Sequence, residues 1–235
     1  AYLWGGDAWP QELYQTGLAQ VSQLTTPEVI SATQAVADAY FKQQVAPTAD
    51  DAKALTPTGD VFATGKVGMT ISLLPAAYRG LKAASFPWGI APLPRQLSSK
   101  HSVFNGCWFI EQESKHLDAA WEFVTYLVGD TNATDMGNVA GFVVPLQTAV
   151  EPWLKLFEAP TGMKSDDLHT VVLGSDKDAV ENTNHLFVDW TEISQTLSQG
   201  TADLWQNKTD AKTALSRAQG PVDAVLAKTY ATYHK

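Results

Sequence analysis

The chain has 235 residues, with 16 Lys or Arg against 25 Asp or Glu, so its formal net charge is −9. This acidic balance excludes a nucleic-acid partner, because affinity for phosphates comes chiefly from clustered Lys and Arg. Hydrophobic residues make up 45% of the sequence, which predicts a folded globular protein, and the charge-free stretches are too short and too polar to span a membrane.

The first part of the chain predicts one long helix and one short helical turn. Thr26 suits an N-cap and Pro27 the first helical position, and apolar residues then recur at three- and four-residue steps from Val29 to Phe41. A shorter segment over 60–64 should end at Gly65, because glycine readily takes the left-handed conformation that ends many helices.

Short apolar runs predict strands between the helices. Val67, Met69 and Ile71 alternate with smaller residues, which predicts a strand that ends at Leu74-Pro75. Further strand-like runs lie over 86–94, 103–110 and 141–146.

Helices dominate the second half of the predicted structure. Ser114 is a plausible N-cap for a helix over 117–128, with Trp121 on its buried side. Other helices are predicted over 152–157, 186–197 and 210–228, with a bend or break at Gly220-Pro221. Helices interleaved with short strands make α/β the predicted class.

Motifs for catalysis, metals or nucleotides are missing from the sequence. Gly59 and Gly65-Lys66 do not have the spacing of a phosphate-binding loop, and the five histidines share no metal-ligand spacing. Asp176-Lys177-Asp178 hints at a calcium loop, but Glu181 stands where that loop requires glycine. Cys107 lies in an apolar run and is predicted to be a buried small hydrophobe. We therefore expect no catalytic residue, metal site or cofactor.

The eight tryptophans are the more informative feature. An indole offers a flat apolar face and one N–H donor, which suits the C–H face of a sugar ring. Trp190 lies beside Asp189 near a predicted helix start, where it could either project toward a ligand or cover the core. Trp121 is assigned to the core. Four others fall near loops or strand ends, where packing is the commoner role: Trp4, Trp9, Trp88 and Trp108.

Four segments, in order along the chain, carry a family resemblance. Phe62 to Met69 reads as a helix end at Gly-Lys followed by a strand, and Trp88 to Pro94 as a short strand with a proline-bearing loop. Ser114 to Phe123 reads as a serine-capped helix with two alanines, and Gly141 to Pro145 as a Gly-to-Pro strand. In this order they resemble the extracellular solute-binding proteins of ABC importers, in the sugar-binding, maltose-binding-protein-like group.

The resemblance implies an α/β, type II periplasmic-binding-protein-like fold with two lobes joined by a hinge. The chain then starts inside the second lobe. Residues 1–104 and 160–235 correspond to the carboxy-terminal lobe, and residues 105–159 to the amino-terminal lobe and the hinge crossings. We therefore expect a fragment that lacks most of its amino-terminal lobe, with a naturally one-lobed protein as the alternative.

The function implied by this resemblance is capture of a small-molecule solute between the lobes, followed by hinge closure and docking on the membrane subunits of an ABC permease. It implies a monomer that is not an enzyme, located outside the cell or in the periplasm and tethered by a lipoprotein segment absent from this sequence. Because one lobe supplies only half of the contacts, the fragment should bind its solute much more weakly than a complete receptor.

Four residues are carried over from the family as ligand-binding candidates. Trp190 matches the stacking aromatic at the head of the penultimate helix, and Tyr78 an aromatic just after the Met-ending strand. Asn105 and Gly106 fall at the first lobe crossing, where they offer an amide to the ligand and flexibility to the hinge. Ala76 stands where maltose-binding protein has another tryptophan, so the stacking platform differs. The remaining aromatics favour a carbohydrate.

Two other functions compete with this interpretation. Asp189 and Glu192 bracket Trp190, and carboxylates beside an aromatic also suit a glycosidase, although no neighbouring feature would raise the pKa of either one. The second alternative is a structural or adhesive surface domain, which would not need the missing lobe.

Overall fold

A computed structural model describes residues 1–56, 59–81, 84–104, 106–142, 146–174, 178–181 and 186–234. The chain forms two compact units, each built from separate segments. Unit 1 comprises Ala1–Thr48, Pro94–Phe104 and Asp178–Lys235, and unit 2 comprises Ala49–Leu93 and Asn105–Lys177. These units reflect contacts within this chain, whereas the lobes expected over 1–104, 105–159 and 160–235 refer to a complete receptor. The lobe bounds therefore stay a prediction.

The described residues are mainly helical. Their α-helices and β-strands are α1 (Gln11–Thr16), α2 (Pro27–Phe41), α3 (Ala49–Leu55), α4 (Leu74–Leu81), β1 (His101–Val103), α5 (Leu117–Val128), α6 (Asp130–Ala140), α7 (Gln147–Lys155), α8 (Glu158–Thr161), α9 (Ser165–Leu168), β2 (Ala179–Glu181), α10 (Trp190–Thr201) and α11 (Ala211–Tyr233). Helical turns of 3-10 type occupy Tyr2–Trp4, Phe62–Thr64 and Leu204–Gln206, and a π-helical turn occupies His169–Leu173. In the part of the chain described, no helix is both long and apolar enough to cross a bilayer.

Unit 1 is organised around α2, α10 and α11, with α11 packed against both of the others. Strands β1 and β2 pair in parallel, with Ser102 opposite Val180. The apolar faces of the helices meet in one core, whose buried members include Leu13, Val29, Ile193, Val222 and Leu226. This core also holds the start of α10 in place.

The predicted last helix is present and longer than expected. It begins at the N-cap Asp210, whose carboxylate accepts the backbone N–H of Thr213 at 2.7 Å. The bend or break predicted at Gly220-Pro221 does not end it, and α11 continues to Tyr233. Proline removes one backbone donor, but Ala218 and Val222, on either side of it, are completely buried. Packing of these side chains compensates for the lost hydrogen bond.

Predictions for the first helical elements are confirmed. Helix α2 begins at Pro27 with Thr26 as N-cap, although the Thr26 hydroxyl donates back to the carbonyl oxygen of Gln23 at 3.0 Å. The short turn over 62–64 ends at Gly65, which has a φ of 70°. Glycine takes this left-handed conformation without the steric penalty that a Cβ would impose.

The strand predicted from Val67 to Leu74-Pro75 is wrong. Residues 67–73 have no regular structure, and the side chains of Met69 and Ile71 are 86% and 73% exposed. Helix α4 starts at Leu74 instead, with proline in its first turn, where a missing N–H costs nothing. A strand requires a partner, and in the described residues β1 and β2 pair only with each other. Among the described residues of the runs over 86–94 and 103–110 there is also no strand beyond β1. Residues 105 and 143–145, the latter within the predicted strand over 141–146, lie outside the described residues.

Unit 2 has its own core beneath α4 and α7. Tyr78, Trp88, Trp153, Phe157 and Leu168 are buried together. The Trp153 indole N–H donates to the carbonyl oxygen of Gly141 at 2.9 Å, which ties α7 to the end of α6. An indole that is buried in this way needs a hydrogen-bond partner.

Helix α5 is where predicted burial fails. The helix is present, and the Ser114 hydroxyl accepts the backbone N–H of His116 just before it, at 3.2 Å. None of its residues is buried, however, and Trp121 is 65% exposed. Assignment of Trp121 to the core was wrong, and the predicted burial of Cys107 was wrong too, since its side chain is exposed. Helical periodicity identifies an apolar face, but it does not show whether a partner covers that face.

Candidate functional site

An aromatic cluster at the start of α10 contains the strongest candidate. We define the Trp190 cluster as Trp9, Phe187 and Trp190, all in unit 1. The ring of Phe187 lies 5.4 Å from Trp190 at an interplanar angle of 30°, and Trp9 lies 6.3 Å from Trp190 at 76°. Trp9 and Phe187 are buried, whereas Trp190 is only partly buried where it packs on them. Part of the Trp190 indole is therefore available to a ligand.

Polar contacts anchor the first turn of α10 on α11. The N-cap residue Asp189 accepts a hydrogen bond from the Thr229 hydroxyl at 2.6 Å, and Glu192 lies 3.3 Å from the Lys228 ammonium. These carboxylates are the two that the glycosidase alternative would use. Each of them contacts α11, so the arrangement fixes the helix that carries Trp190.

A second set of contacts holds Trp9. The Asp7 carboxylate accepts the backbone N–H of Trp9 at 3.0 Å and the Tyr14 hydroxyl at 2.5 Å. Burial, together with the hydrogen bond to Asp7, raises the pKa of Tyr14, so the phenol stays protonated as a donor. Gly6 passes so close to Glu28 that an added Cβ would overlap that side chain. The segment is thereby pressed against the start of α2.

Two other predicted site residues, Tyr78 and Gly106, lie in unit 2. Tyr78 is 6% exposed and packs in the core, with its ring 5.5 Å from Phe157. Gly106 is exposed, and a Cβ added there would meet nothing within 4 Å. Asn105 lies outside the described residues. The ligand-binding roles of Trp190, Tyr78, Asn105 and Gly106 stay predictions.

Sequence reasoning treated Trp9 as a packing residue and did not single out Phe187. A local signal exists only for Phe187, which lies three residues before Trp190 in the chain. Trp9 is about 180 positions away in the chain, so no local pattern links it to Trp190.

Unit 2 contains a small cavity and an exposed aromatic surface. A cavity of about 90 Å³ is lined by Asp130, Thr148 and Trp153 among others, with the Thr148 hydroxyl donating to Asp130 at 2.8 Å. Exposed aromatic side chains lie on α5 and in the segment before it: Trp108, Phe109, Trp121, Phe123 and Tyr126. Among the described residues, no group of His, Cys, Asp and Glu has the arrangement of a metal site.

Comparison with family models identifies the family of this chain. A family model described as bacterial extracellular solute-binding protein matches residues 1–165. The chain belongs to this family. The family predicted from the four sequence segments is thus confirmed, and members of the family are extracellular binding proteins.

Two solved structures resemble this solute-binding protein. An ABC substrate-binding protein from Listeria monocytogenes, solved in complex with cycloalternan, has 15% sequence identity and a TM-score of 0.73, over 98% of this chain and 55% of its own. The cyclic α-maltosyl-1,6-maltose binding protein of Arthrobacter globiformis has 19% identity and a TM-score of 0.66, over 97% of this chain and 54% of its own. The predicted periplasmic-binding-protein-like fold is confirmed, and the chain spans about half the length of these two receptors. No curated protein matches the sequence significantly.

Proposed function

We propose that this solute-binding protein binds a carbohydrate and serves as part of a receptor that delivers it to the membrane subunits of an ABC importer. The observation that carries the proposal is the partly exposed Trp190 at the head of α10, supported from behind by two buried aromatic rings. A rigid indole face stacks on the C–H face of a pyranose ring at little entropic cost.

The chemistry of the structural relatives supports a carbohydrate. One was solved with cycloalternan, and the other is named for binding cyclic α-maltosyl-1,6-maltose. Both names describe oligosaccharides, so we take α-linked glucose oligosaccharides as the first class to test.

The proposal includes a two-lobe arrangement. Residues 1–104 and 160–235 would belong to the carboxy-terminal lobe and residues 105–159 to the other lobe, with Asn105 and Gly106 at a crossing between them. The exposed aromatic side chains of α5 support this, because a helix that is apolar on most sides is usually covered. In the complete receptor the second lobe would add contacts to the same ligand and close over it.

An enzyme is the weaker alternative. The contacts of Asp189 with Thr229 and of Glu192 with Lys228 stabilise helix packing. A glycosidase needs one of its two carboxyl groups as a proton donor with a raised pKa. In this structure both carboxylates instead contact α11.

Calorimetric titration tests the proposal with cycloalternan, maltotetraose and, as an unrelated solute, spermidine. If a complete receptor binds with a Kd of about 1 μM, half of that free energy corresponds to a Kd of about 1 mM. We therefore expect weak, saturable binding of an oligosaccharide. An affinity comparable to that of a complete receptor would contradict the expectation that one lobe supplies only half of the contacts. Formation of shorter sugars during the titration would favour an enzyme.

Two tryptophan variants provide the matched comparison. Trp190→Ala should abolish measurable binding. Trp205→Ala should retain it, because Trp205 is an exposed tryptophan of the same unit whose aromatic neighbour is Tyr40. Equal binding by wild type and Trp190→Ala would exclude Trp190 as the stacking residue.

A further inference from the structure

The orientation of the Trp190 ring depends on a residue that comes from the other end of the chain. Trp9 packs edge-on against both other rings of the Trp190 cluster, 4.7 Å from Phe187 at 70° and 6.3 Å from Trp190 at 76°. Edge-to-face pairs have a preferred geometry, because the positive edge of one ring meets the negative face of another. Trp9 thus restricts the plane in which the Trp190 indole lies.

Trp9 is itself held from several directions. Its backbone N–H donates to Asp7, and the neighbouring Ala8 carbonyl accepts the backbone N–H of Gln23 at 2.8 Å. Its side chain is 8% exposed and packs with the core of unit 1. A ring fixed in both backbone and side chain can serve as a support for a more exposed one.

The first turn of α10 is fixed independently of Trp9. Asp189 and Glu192 hold the backbone of that turn to α11 through Thr229 and Lys228. These contacts set the position of the Trp190 Cα, but they leave the indole free to rotate about its side-chain bonds. The aromatic neighbours are what restrict that rotation.

We infer that Trp9 is a positioning residue, which orients the Trp190 indole for stacking on a pyranose ring of an oligosaccharide. This inference rests on the proposed function, in which Trp190 contacts the solute. Trp9 itself is buried and does not touch the ligand. Its effect is to reduce the entropy that Trp190 would otherwise lose on binding, because a preorganised side chain has less freedom to lose.

Three variants of the full chain separate positioning from general stability. Trp9→Leu keeps an apolar side chain but removes the aromatic edge, whereas Trp9→Phe keeps an edge. Val225→Ala removes buried side-chain atoms from the same core but substitutes none of the three rings of the Trp190 cluster. Each variant is titrated with the oligosaccharide that wild type binds best, well below its melting temperature.

Because ordering a free side chain on binding costs about 0.5–1.5 kcal/mol, we expect Trp9→Leu to weaken binding by about 2–13-fold. Trp9→Phe should restore most of the affinity, and Val225→Ala should bind like wild type despite a lower Tm. The far-ultraviolet circular dichroism couplet from the close indole pair should disappear in Trp9→Phe, Trp9→Leu and Trp190→Phe, and should persist in Val225→Ala.

The possible failures are distinguishable. If wild type binds no oligosaccharide, the proposed function fails, and the positioning role fails with it. If wild type binds and Trp190→Ala does not, but Trp9→Leu binds as tightly as wild type, only the positioning role is overturned. If Trp9→Leu does not fold, Trp9→Met, which also removes the aromatic edge, takes its place. Weaker binding by Trp9→Met than by Trp9→Phe would then support positioning, and equal binding by both would overturn it.

Discussion

Gly200 lies at a close approach of α10 and α11, so Gly200→Ala tests the packing of the helix that carries Trp190. A Cβ added at Gly200 would lie 2.6 Å from the Cβ and 2.8 Å from the Cα of Ala218. Carbon atoms in contact are normally about 3.5–4.0 Å apart. The two helices would therefore have to separate by roughly 1 Å to accommodate the methyl group.

The expected sign follows from two opposing terms. Overpacking of a buried contact costs about 1–3 kcal/mol, while alanine in place of glycine stabilises a helix interior by about 1 kcal/mol. We expect net destabilisation of up to about 2 kcal/mol, which lowers the Tm by up to about 8 °C for a chain of this size. Thermal denaturation followed by circular dichroism measures it.

Two further variants make this prediction decisive. Ser198→Ala changes an exposed residue of the same helix and should be neutral or slightly stabilising, since only helix propensity changes. The double variant Gly200→Ala/Ala218→Gly moves the methyl group from α11 to α10 and removes the overlap. It should therefore be more stable, by about 1 kcal/mol, than the sum of the two single variants predicts. Stabilisation by Gly200→Ala, equal to that of Ser198→Ala, would refute the close approach of α10 and α11.

Three other predictions concern a cap, a buried hydrogen bond and an exposed ring. Hydrogen bonds from Thr213 lower the pKa of Asp210 below its ordinary value of 3.8. The ionised cap therefore stabilises the folded protein above pH 3.8, and this stability is lost as the pH falls through the pKa of the folded state. The Tm difference between wild type and Asp210→Asn should accordingly shrink to zero in acid. Tyr14→Phe removes a donor to Asp7 and should destabilise the protein by about 1 kcal/mol in urea denaturation, and an unchanged midpoint would contradict this. Trp121→Gln should change the free energy of unfolding by less than about 0.5 kcal/mol, whereas a loss of several kcal/mol would return Trp121 to the core.

Local patterns predicted the longest helices, because a helix is stabilised by contacts three and four residues apart. Helices α2, α5 and α11 lie where apolar periodicity placed them, whereas α10 begins four residues after the start of the predicted helix over 186–197, and α4 and α6 were not predicted. The strand predicted over 67–73 is absent because an alternating sequence forms a strand only when a second strand supplies hydrogen-bond partners. Burial of Trp121 failed because it depends on what covers α5, which the helix pattern does not contain.

The sequence pointed to one residue of the candidate site, Trp190, but not to the residues that pack against it. Trp190 was singled out by its place at a helix start and by the family resemblance. Its contacts with Trp9 depend on how α1 and the segment before it pack against α10, and this is a property of the folded chain. The burial of Tyr78 in α4 has the same origin, because that helix replaced a predicted strand end.

Unit 1 is closed by contacts between residues far apart in the chain. The backbone N–H and hydroxyl of Ser22 both donate to Asp223 on α11, across 201 positions of sequence. At about 5–20 residues synthesised per second, α2 leaves the ribosome roughly 10–40 s before the helix that covers it. The core of unit 1 therefore cannot be completed until α11 has been synthesised, late in the translation of this segment.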